Sequence, residues 1–370
     1  HKASLYDRVV DVLTMFLGTI NRSWDKEKRA AAYLAFGEGY TDLTEYEKAA
    51  SFLHKALAIT YDPERKVDVL CQMGLMSRFS CNYDDALAAL NQALEIISEE
   101  SGRVKSKSWS EHTALVHAEI GVVLSEQQGK RDLEALESFQ RALVIIKEDY
   151  LGDAGNLALL YEGIGVVHAR LGNWDEAIDY LKLAYSSIGQ DTNAIHAIFC
   201  EEIGRVRLDQ YFWDERLHQN TQEREHVITE AAIFSNKSMT FGLYLNDAYL
   251  IAAQVAYLIP EIEEANKWLM AYFEAEMEKN VGVSCRSCMR KAGNGTDIKI
   301  CRNCQVVDYC SEAHQTLAWR RGRLSHKVMC PFLKRYRLVA KAEKHRIDTE
   351  PYEDICKEFF ETVCVLKYKV

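Results

Sequence analysis

The residues best suited to chemistry in this sequence are cysteines and histidines that fall in four close pairs. Two or three residues separate the members of each pair, so a tight turn or one helical turn can present both side chains to one metal ion. Zn²⁺ takes four sulfur or nitrogen donors in a tetrahedron, and a site with all four positions filled by protein is structural. Eight donors therefore predict two structural zinc ions. The pairs are Cys285 with Cys288, Cys301 with Cys304, Cys310 with His314, and His326 with Cys330.

Buried free thiols and disulfide bonds are the two alternatives to zinc for these cysteines. Scattered buried thiols would not fall in four consecutive pairs at ligand spacing. A disulfide framework would not recruit histidines, and a chain of 370 residues does not need disulfides to reach stability. Zinc can also supply folding energy that so short a segment lacks, on the order of 10 kcal/mol in small fingers. The spacing therefore favours zinc over both alternatives.

The order of the pairs resembles a MYND-type zinc finger, with Tyr309-Cys310-Ser311 opening the third pair and Gln315-x3-Trp319 following it. The resemblance implies that the first and third pairs share one zinc ion and that the second and fourth share the other. One implied site is Cys285, Cys288, Cys310 and His314, and the other is Cys301, Cys304, His326 and Cys330. The sequence departs from the family in two places: His314 stands where Cys is usual, and residues 320–325 lengthen the segment before the last pair.

The same resemblance implies a peptide-binding surface. MYND fingers bind short proline-containing peptides beside the helix that follows the third ligand pair, and here that position holds Gln315 and Trp319. The Gln315 amide can pair with a peptide backbone, and the Trp319 indole offers a flat apolar face to a proline ring. In the competing interpretation, Trp319 only packs the small core of the finger.

The segment before the cysteines repeats a pattern that predicts helical hairpins. In each copy, a helix with a central small residue is followed by a turn and by a second helix with the pattern Ala-x3-Leu/Phe-x2-Ala. The pattern resembles the tetratricopeptide repeat, whose helix pairs stack into a solenoid because one copy alone cannot bury its apolar face. A generic helical bundle is the alternative. The central glycines are Gly37, Gly74, Gly121, Gly165 and Gly204, and a degenerate sixth copy covers residues 247–272.

These elements predict an all-α chain with four parts. An amphipathic capping helix lies within residues 1–28, a tetratricopeptide-like solenoid of five to six helix pairs covers 29–280, a two-zinc cross-brace finger covers 281–332, and C-terminal helices cover 333–370. Residues 214–226 are polar and predict a loop inside the fifth copy, followed by a helix from about Val227 to Phe234. Removal of zinc is expected to unfold residues 285–330 and to leave the solenoid helical.

Charge is distributed unevenly along the chain. Residues 281–346 hold fifteen Lys/Arg and four Asp/Glu, a net charge of +11, whereas the whole chain has a formal charge of −10. The rest of the chain is therefore strongly acidic. Either the basic part docks on the acidic repeats of its own chain, or it meets nucleic acid or an acidic partner. Of these, docking within the chain is slightly favoured.

No catalytic pattern accompanies these modules. The sequence lacks a P-loop and the GxSxG, HExxH and strand-bound GxGxxG motifs, and it lacks the Asn-His-x-Cys pattern of the SET methyltransferases that also carry MYND fingers. The sequence therefore predicts a non-catalytic adaptor or scaffold, alone or as a subunit of a larger complex, that binds proteins through the solenoid and the finger. The alternative is a nucleic-acid-associated regulator that uses the basic finger and the helix after it. The sequence names neither the partner nor the oligomeric state.

Cysteine usage and hydropathy bear on the compartment. Five cysteines lie outside the finger, mostly in helical apolar contexts, and are interpreted as buried thiols in a reducing compartment, with the cytoplasm or nucleus favoured. The longest uncharged apolar run, residues 248–260, is shorter than the roughly 20 residues that span a bilayer. No secretory signal is visible, but the first residue is His1 rather than Met, so an organelle targeted by an upstream segment stays open.

Overall fold

The chain divides into two compact units, residues 1–153 and 154–370, and each is described here by itself. The structure is a computed structural model. It describes residues 15, 24–43, 45–103, 106–127, 129–149, 154–189, 193–241, 246–259, 261–278, 299–309, 315–316, 326–344 and 351–365. The expected capping helix within residues 1–28 lies almost entirely outside the described residues.

The first unit contains three helical hairpins, each made of two helices that follow one another in sequence and pack side by side. This confirms the expectation of helix pairs for the first three copies. Their helices are α1 (Lys26–Asp42) and α2 (Tyr46–Ile59), α3 (Pro63–Phe79) and α4 (Tyr83–Ser101), and α5 (Lys107–Ser125) and α6 (Asp132–Glu148).

Close approach at the central glycine explains why the two helices of each hairpin pair. A Cβ added at Gly121 would lie 2.6 Å from the Phe139 ring, and one at Gly37 would collide with Leu53. Phe139 and Leu53 are themselves fully buried. The large residue of the second helix thus fills the space that the glycine leaves on the first, as the repeat pattern predicts.

Helix ends are fixed by short polar contacts. Asp25 and Asp62 each accept a hydrogen bond from the backbone N–H two residues later, which satisfies one of the free donors at a helix start. Asn82 donates its backbone N–H to the Ser77 carbonyl at 2.8 Å and closes the turn between α3 and α4. Cys81, one residue earlier, adopts a left-handed φ of 61°. Residues close in sequence therefore determine the conformation of this turn.

The second unit begins with three further hairpins and ends in a part built differently. Its hairpin helices are α7 (Ala154–Arg170) and α8 (Trp174–Ser187), α9 (Asn193–Trp213) and α10 (Thr221–Thr240), and α11 (Asn246–Leu258) and α12 (Ile262–Glu278). They are followed by strands β1 (Lys299–Ile300) and β2 (Asp308–Tyr309), helix α13 (His326–Lys344), helix α14 (Tyr352–Phe360) and a π-helical turn over Glu361–Val365.

The loop predicted over residues 214–226 is wrong. A 3₁₀ turn occupies Glu215–Gln219, and α10 begins at Thr221, six residues earlier than expected. The polar residues act as caps rather than as a loop: Asp214 accepts the Arg216 backbone N–H at 3.1 Å, and Asn220 accepts that of Glu223 at 3.2 Å. A run of polar side chains was therefore compatible with helix, because its members satisfy helix ends.

One hydrophobic core joins the last hairpins to the C-terminal part. Aromatic rings of α12, α13 and α14 meet there: the Phe273 and Tyr336 centroids lie 4.9 Å apart, and those of Phe332 and Phe359 lie 5.3 Å apart. The same core contains Leu250 of α11 and extends to Cys301 beside β1. The helices predicted beyond residue 333 thus cover the end of the repeat array.

Candidate metal centre

A tight turn between two short strands presents the second cysteine pair. Strands β1 and β2 are antiparallel, with Lys299 opposite Tyr309. Between them, the Cys301 backbone N–H donates to the Val307 carbonyl at 2.8 Å, and the Gln305 N–H donates to the Cys301 carbonyl at 2.9 Å. Gln305 adopts a left-handed φ of 55°, which lets the chain turn back sharply. The turn therefore brings Cys301 and Cys304 to one side.

The start of helix α13 presents the fourth pair. His326 and Cys330 are four residues apart, so they share one face of the helix. The helix was expected to begin after Pro331, but it begins at His326 and contains that proline. A proline inside a helix removes one backbone hydrogen bond and crowds the carbonyl four residues earlier, which here is that of Lys327. Both donors still lie on helical residues, His326 at the first position of α13 and Cys330 at the fifth.

These four side chains converge on one point. Their donor atoms all lie within 4.8 Å of one another. The Cys301 and Cys330 sulfurs are 3.8 Å apart, and the Cys304 sulfur lies 3.7 Å from His326 Nε2. Zn–S bonds of about 2.3 Å in a tetrahedron place sulfurs roughly 3.8 Å apart. Three thiols and one imidazole at this spacing fit a zinc ion with no coordination position left open.

Burial and hydrogen bonding prepare the cluster for a cation. All four donors are buried, with Cys304 and Cys330 at 0% exposure. A hydrogen bond with the Cys304 thiol, reinforced by His326 and Asn303, lowers the pKa of Cys330. The same Cys304–Cys330 hydrogen bond, together with burial, raises the pKa of Cys304. One thiolate thus forms ahead of its neighbours, and zinc takes thiolates as ligands.

Asn303 is a site residue that the spacing argument missed. Its Nδ2 donates to the Cys330 sulfur at 3.1 Å, a contact that holds the thiolate and tunes its basicity. The packing role of Tyr309 was also not predicted. Tyr309 is 1% exposed, and its ring lies edge-on to that of His326, with centroids 5.9 Å apart. The sequence feature that could have identified Asn303 is its position between Cys301 and Cys304, inside the turn that presents these two ligands.

The structure brings together one of the two predicted donor sets. The residues of the other set, Cys285, Cys288, Cys310 and His314, lie outside the described residues, as does Trp319. Gln315 is described, as a half-buried residue in a helical position.

Comparison with protein families addresses both modules. A MYND finger model matches residues 285–330, from the first predicted ligand to the last. Tetratricopeptide repeat models match residues 32–67 and 112–187. The chain contains tetratricopeptide repeats and a MYND finger. Both are typically non-catalytic interaction modules, which supports a protein-interaction adaptor.

Solved structures show the same fold class for this repeat and MYND protein. The apo form of NprR, a quorum sensor from B. thuringiensis, is similar with a TM-score of 0.56 and 12% identity over 96% of this chain and 97% of that one. PilW, a type IV pilus biogenesis factor, is similar with a TM-score of 0.50 and 16% identity over 66% of this chain and 92% of that one. The all-α helical-hairpin solenoid is thereby confirmed, and identities this low show the fold alone.

Two further findings complete the comparison. No curated protein matches the sequence of this chain. Among the helices that the structure describes, none has both the length and the apolar character needed to cross a membrane.

Proposed function

We propose that this protein is a non-catalytic adaptor, alone or within a larger complex, that binds partner proteins through its repeats and its MYND finger. The observation that supports this best is the buried cluster of three cysteines and one histidine, because it fits a closed metal site. A closed site holds structure and leaves no position for a substrate. The continuity of this cluster with the core of the last hairpins supports a single interaction platform.

Two zinc ions are part of this proposal. Cys301, Cys304, His326 and Cys330 would hold one, as their geometry supports. Cys285, Cys288, Cys310 and His314 would hold the other, supported by their spacing and by the extent of the MYND match. Within the chain, the proposed parts are a capping helix in 1–28, the solenoid in 29–280, the finger in 281–332 and the C-terminal helices in 333–370.

Peptide binding by the finger is assigned to Gln315 and Trp319, with proline-containing segments as ligands. Gln315 is half-buried, so part of this residue is accessible to a ligand. The compartment proposed is reducing, with the cytoplasm or nucleus favoured. The eight described cysteines support this, because none of them forms a disulfide.

Zinc content and local stability test the metal assignments. Native mass spectrometry of the full chain should count two zinc ions, and Cys285→Ser and Cys304→Ser should each remove one. Because the second site shares a core with α12, α13 and α14, Cys304→Ser should also speed hydrogen exchange in those helices. Cys81→Ser, which changes a half-buried cysteine in the first unit, is the control. A count of one zinc in the unmodified protein would contradict the two-site assignment.

An array of proline-containing peptides, probed with the full chain, tests the ligand assignment. Trp319→Ala and Gln315→Ala should each weaken the strongest signals about tenfold or more, because a buried aromatic anchor carries much of such a contact. Trp213→Ala is the matched control, since Trp213 is 49% exposed on another helix. Peptide binding that survives Trp319→Ala would refute the assignment.

A further inference from the structure

The outward face of helix α13 has a regular composition that the metal site does not explain. Over residues 326–342, where burial is described, five residues are exposed at spacings of four, three, four and three, so they form one straight row along the helix. The row spans about 21 Å at 1.5 Å per residue. We call it the lysine seam, and it consists of Lys327, Pro331, Lys334, Leu338 and Lys341.

The charges of the lysine seam are unpaired within the described part of the chain, whereas the neighbouring arginines are engaged. Arg335 pairs with Glu358 of α14, and Arg337 donates to the Gln305 side chain. None of the described carboxylates forms an ion pair with Lys327, Lys334 or Lys341. Leu338, between the last two lysines, is 49% exposed. Within the described residues, the seam therefore offers three ammonium groups without an ion pair and one apolar contact.

We propose that the lysine seam docks an acidic amphipathic helix of a partner protein. The lysines recur every seven residues, about 10.5 Å apart, which is the repeat at which one face of a second helix returns to the first. A partner helix with Glu or Asp at that period would meet all three lysines at once. An apolar residue between its acids would cover Leu338. The inference is argued from helix α13 alone, so it does not depend on the proposed peptide site.

Other features of α13 favour a protein helix over nucleic acid. The aromatic side chains of this helix, Phe332 and Tyr336, are 4% and 3% exposed, so the seam has no stacking platform. Its unpaired cations are lysines, while Arg335 and Arg337, the residues with bidentate geometry for phosphate, are turned to partners in the chain. A row of point charges around one leucine suits a carboxylate-bearing helix better.

The helix that carries the seam is held over its first three turns. His326 and Cys330 belong to the metal cluster, and Phe332 and Tyr336 pack on Phe359 and Phe273. A helix fixed in this way loses little backbone conformational entropy when a partner docks. The seam is thus preorganised for a helix of matching period.

The test uses the zinc-loaded full chain and a synthetic helical peptide with three Glu at seven-residue intervals and Leu between them. Fluorescence anisotropy should show binding, and the double variant Lys334→Glu/Lys341→Glu should weaken it about tenfold, since two exposed pairs become repulsive. Leu338→Ser should weaken it a few-fold. The control, Lys28→Glu/Lys357→Glu, changes net charge equally at exposed lysines outside the seam and should bind as the unmodified chain does.

A charge-swapped peptide sharpens the test, because Lys in place of its three Glu should restore binding to the double variant. Equal binding of a scrambled peptide of the same composition would overturn the proposal, as would equal weakening by the control variant. Tighter binding of a 20-base-pair DNA or RNA duplex than of the peptide, lost in the double variant, would also overturn it and make the seam a nucleic-acid surface.

Discussion

The hairpins α7–α8 and α9–α10 have the same two-helix arrangement but differ in the side chain that faces the central glycine. In the first, a Cβ added at Gly165 would lie 2.9 Å from Leu181 Cγ, so a large residue fills the gap. In the second, Ser235 stands at the position of Leu181, and Gly204 faces the backbone of α10 directly. Ser238 then donates its hydroxyl to the Ala197 carbonyl at 2.9 Å. In the first hairpin a leucine fills the gap at the glycine, whereas in the second a serine stands there and the Ser238 hydrogen bond links the two helices.

The residue three positions after the glycine also differs between the two hairpins: it stacks on an aromatic ring in the first and forms ion pairs in the second. His168 stacks on Tyr180 in the first hairpin, with ring centroids 5.5 Å apart. Arg207 takes that position in the second; it is 8% exposed and reaches Glu230 at 2.7 Å and Gln210 at 2.6 Å. A repeat can therefore keep its backbone while exchanging apolar packing for a buried charge network. The cost is that each member of the network depends on the others.

The largest expected effect comes from breaking that network. Arg207→Ala would remove one of the cations that pair with Glu230 and the donor to the Gln210 side chain, and it should lower the free energy of unfolding by about 2–3 kcal/mol. Arg205→Ala is the matched control: its ion pair with Glu202 is 43% exposed on the arginine side, and its loss should cost less than about 1 kcal/mol. Urea denaturation measures both. Equal losses would mean that the network is no more than a surface pair.

Substitution of the two central glycines by alanine should change stability by intermediate amounts that differ between the two hairpins. Gly165→Ala would press its Cβ 3.0 Å from the Ala177 carbonyl, which cannot move aside, and should destabilise by about 1–2 kcal/mol. Gly204→Ala meets nothing closer than 3.4 Å and gains helix propensity, so it should be neutral or stabilising by up to about 1 kcal/mol. Thermal unfolding compares the pair. The comparison fails if both substitutions change stability in the same direction by the same amount.

The smallest effect is a dependence on acid. Burial would raise the pKa of Glu230, but the hydrogen bond from Lys182 and the charge of Arg207 outweigh it and lower that pKa below 4.5. A depressed folded-state pKa adds stability above the unfolded value, and this stability is lost as pH falls through the folded value. The stability difference between the unmodified chain and Glu230→Gln should therefore shrink as pH drops below about 4.5. A difference that stays constant down to pH 3 would argue against a paired carboxylate.

The spacing of residues along the sequence predicted the features that depend on nearby positions, which are the helix pairs and the ligand pairs. The glycine and Ala-x3-Leu pattern predicted the helix pairs, because the Gly121 and Phe139 contact needs only the right residue sizes at the right interval. Donor spacing likewise predicted that Cys301 pairs with Cys304 and His326 with Cys330, since a turn and a helix start each present two ligands. That these two pairs meet at one site was implied by the resemblance to MYND fingers and not by spacing. Residues 214–226 were misread because polarity alone does not distinguish a loop from a capped helix start.

Contacts between distant parts of the chain could not be derived in this way. Nothing in the sequence around Cys301 indicates that it shares a core with Phe273 and Phe359. The expected independence of finger and solenoid on zinc removal was based on their separation along the chain. The shared core gives a physical reason for a wider effect, which hydrogen exchange in α12–α14 measures directly.

The shared core also sets an order of events during synthesis. The ribosome delivers α11 and α12 before it delivers Cys330, so Tyr272 and Phe273 emerge before the helices that bury them. Until α13 and α14 are made, this apolar end of the array is open to chaperones and to other nascent chains. Capture of zinc by Cys301 and Cys304 can be completed only when His326 and Cys330 arrive. The metal site is thus completed only after α12 has been made, in the same stretch of synthesis that supplies the helices covering this end of the array.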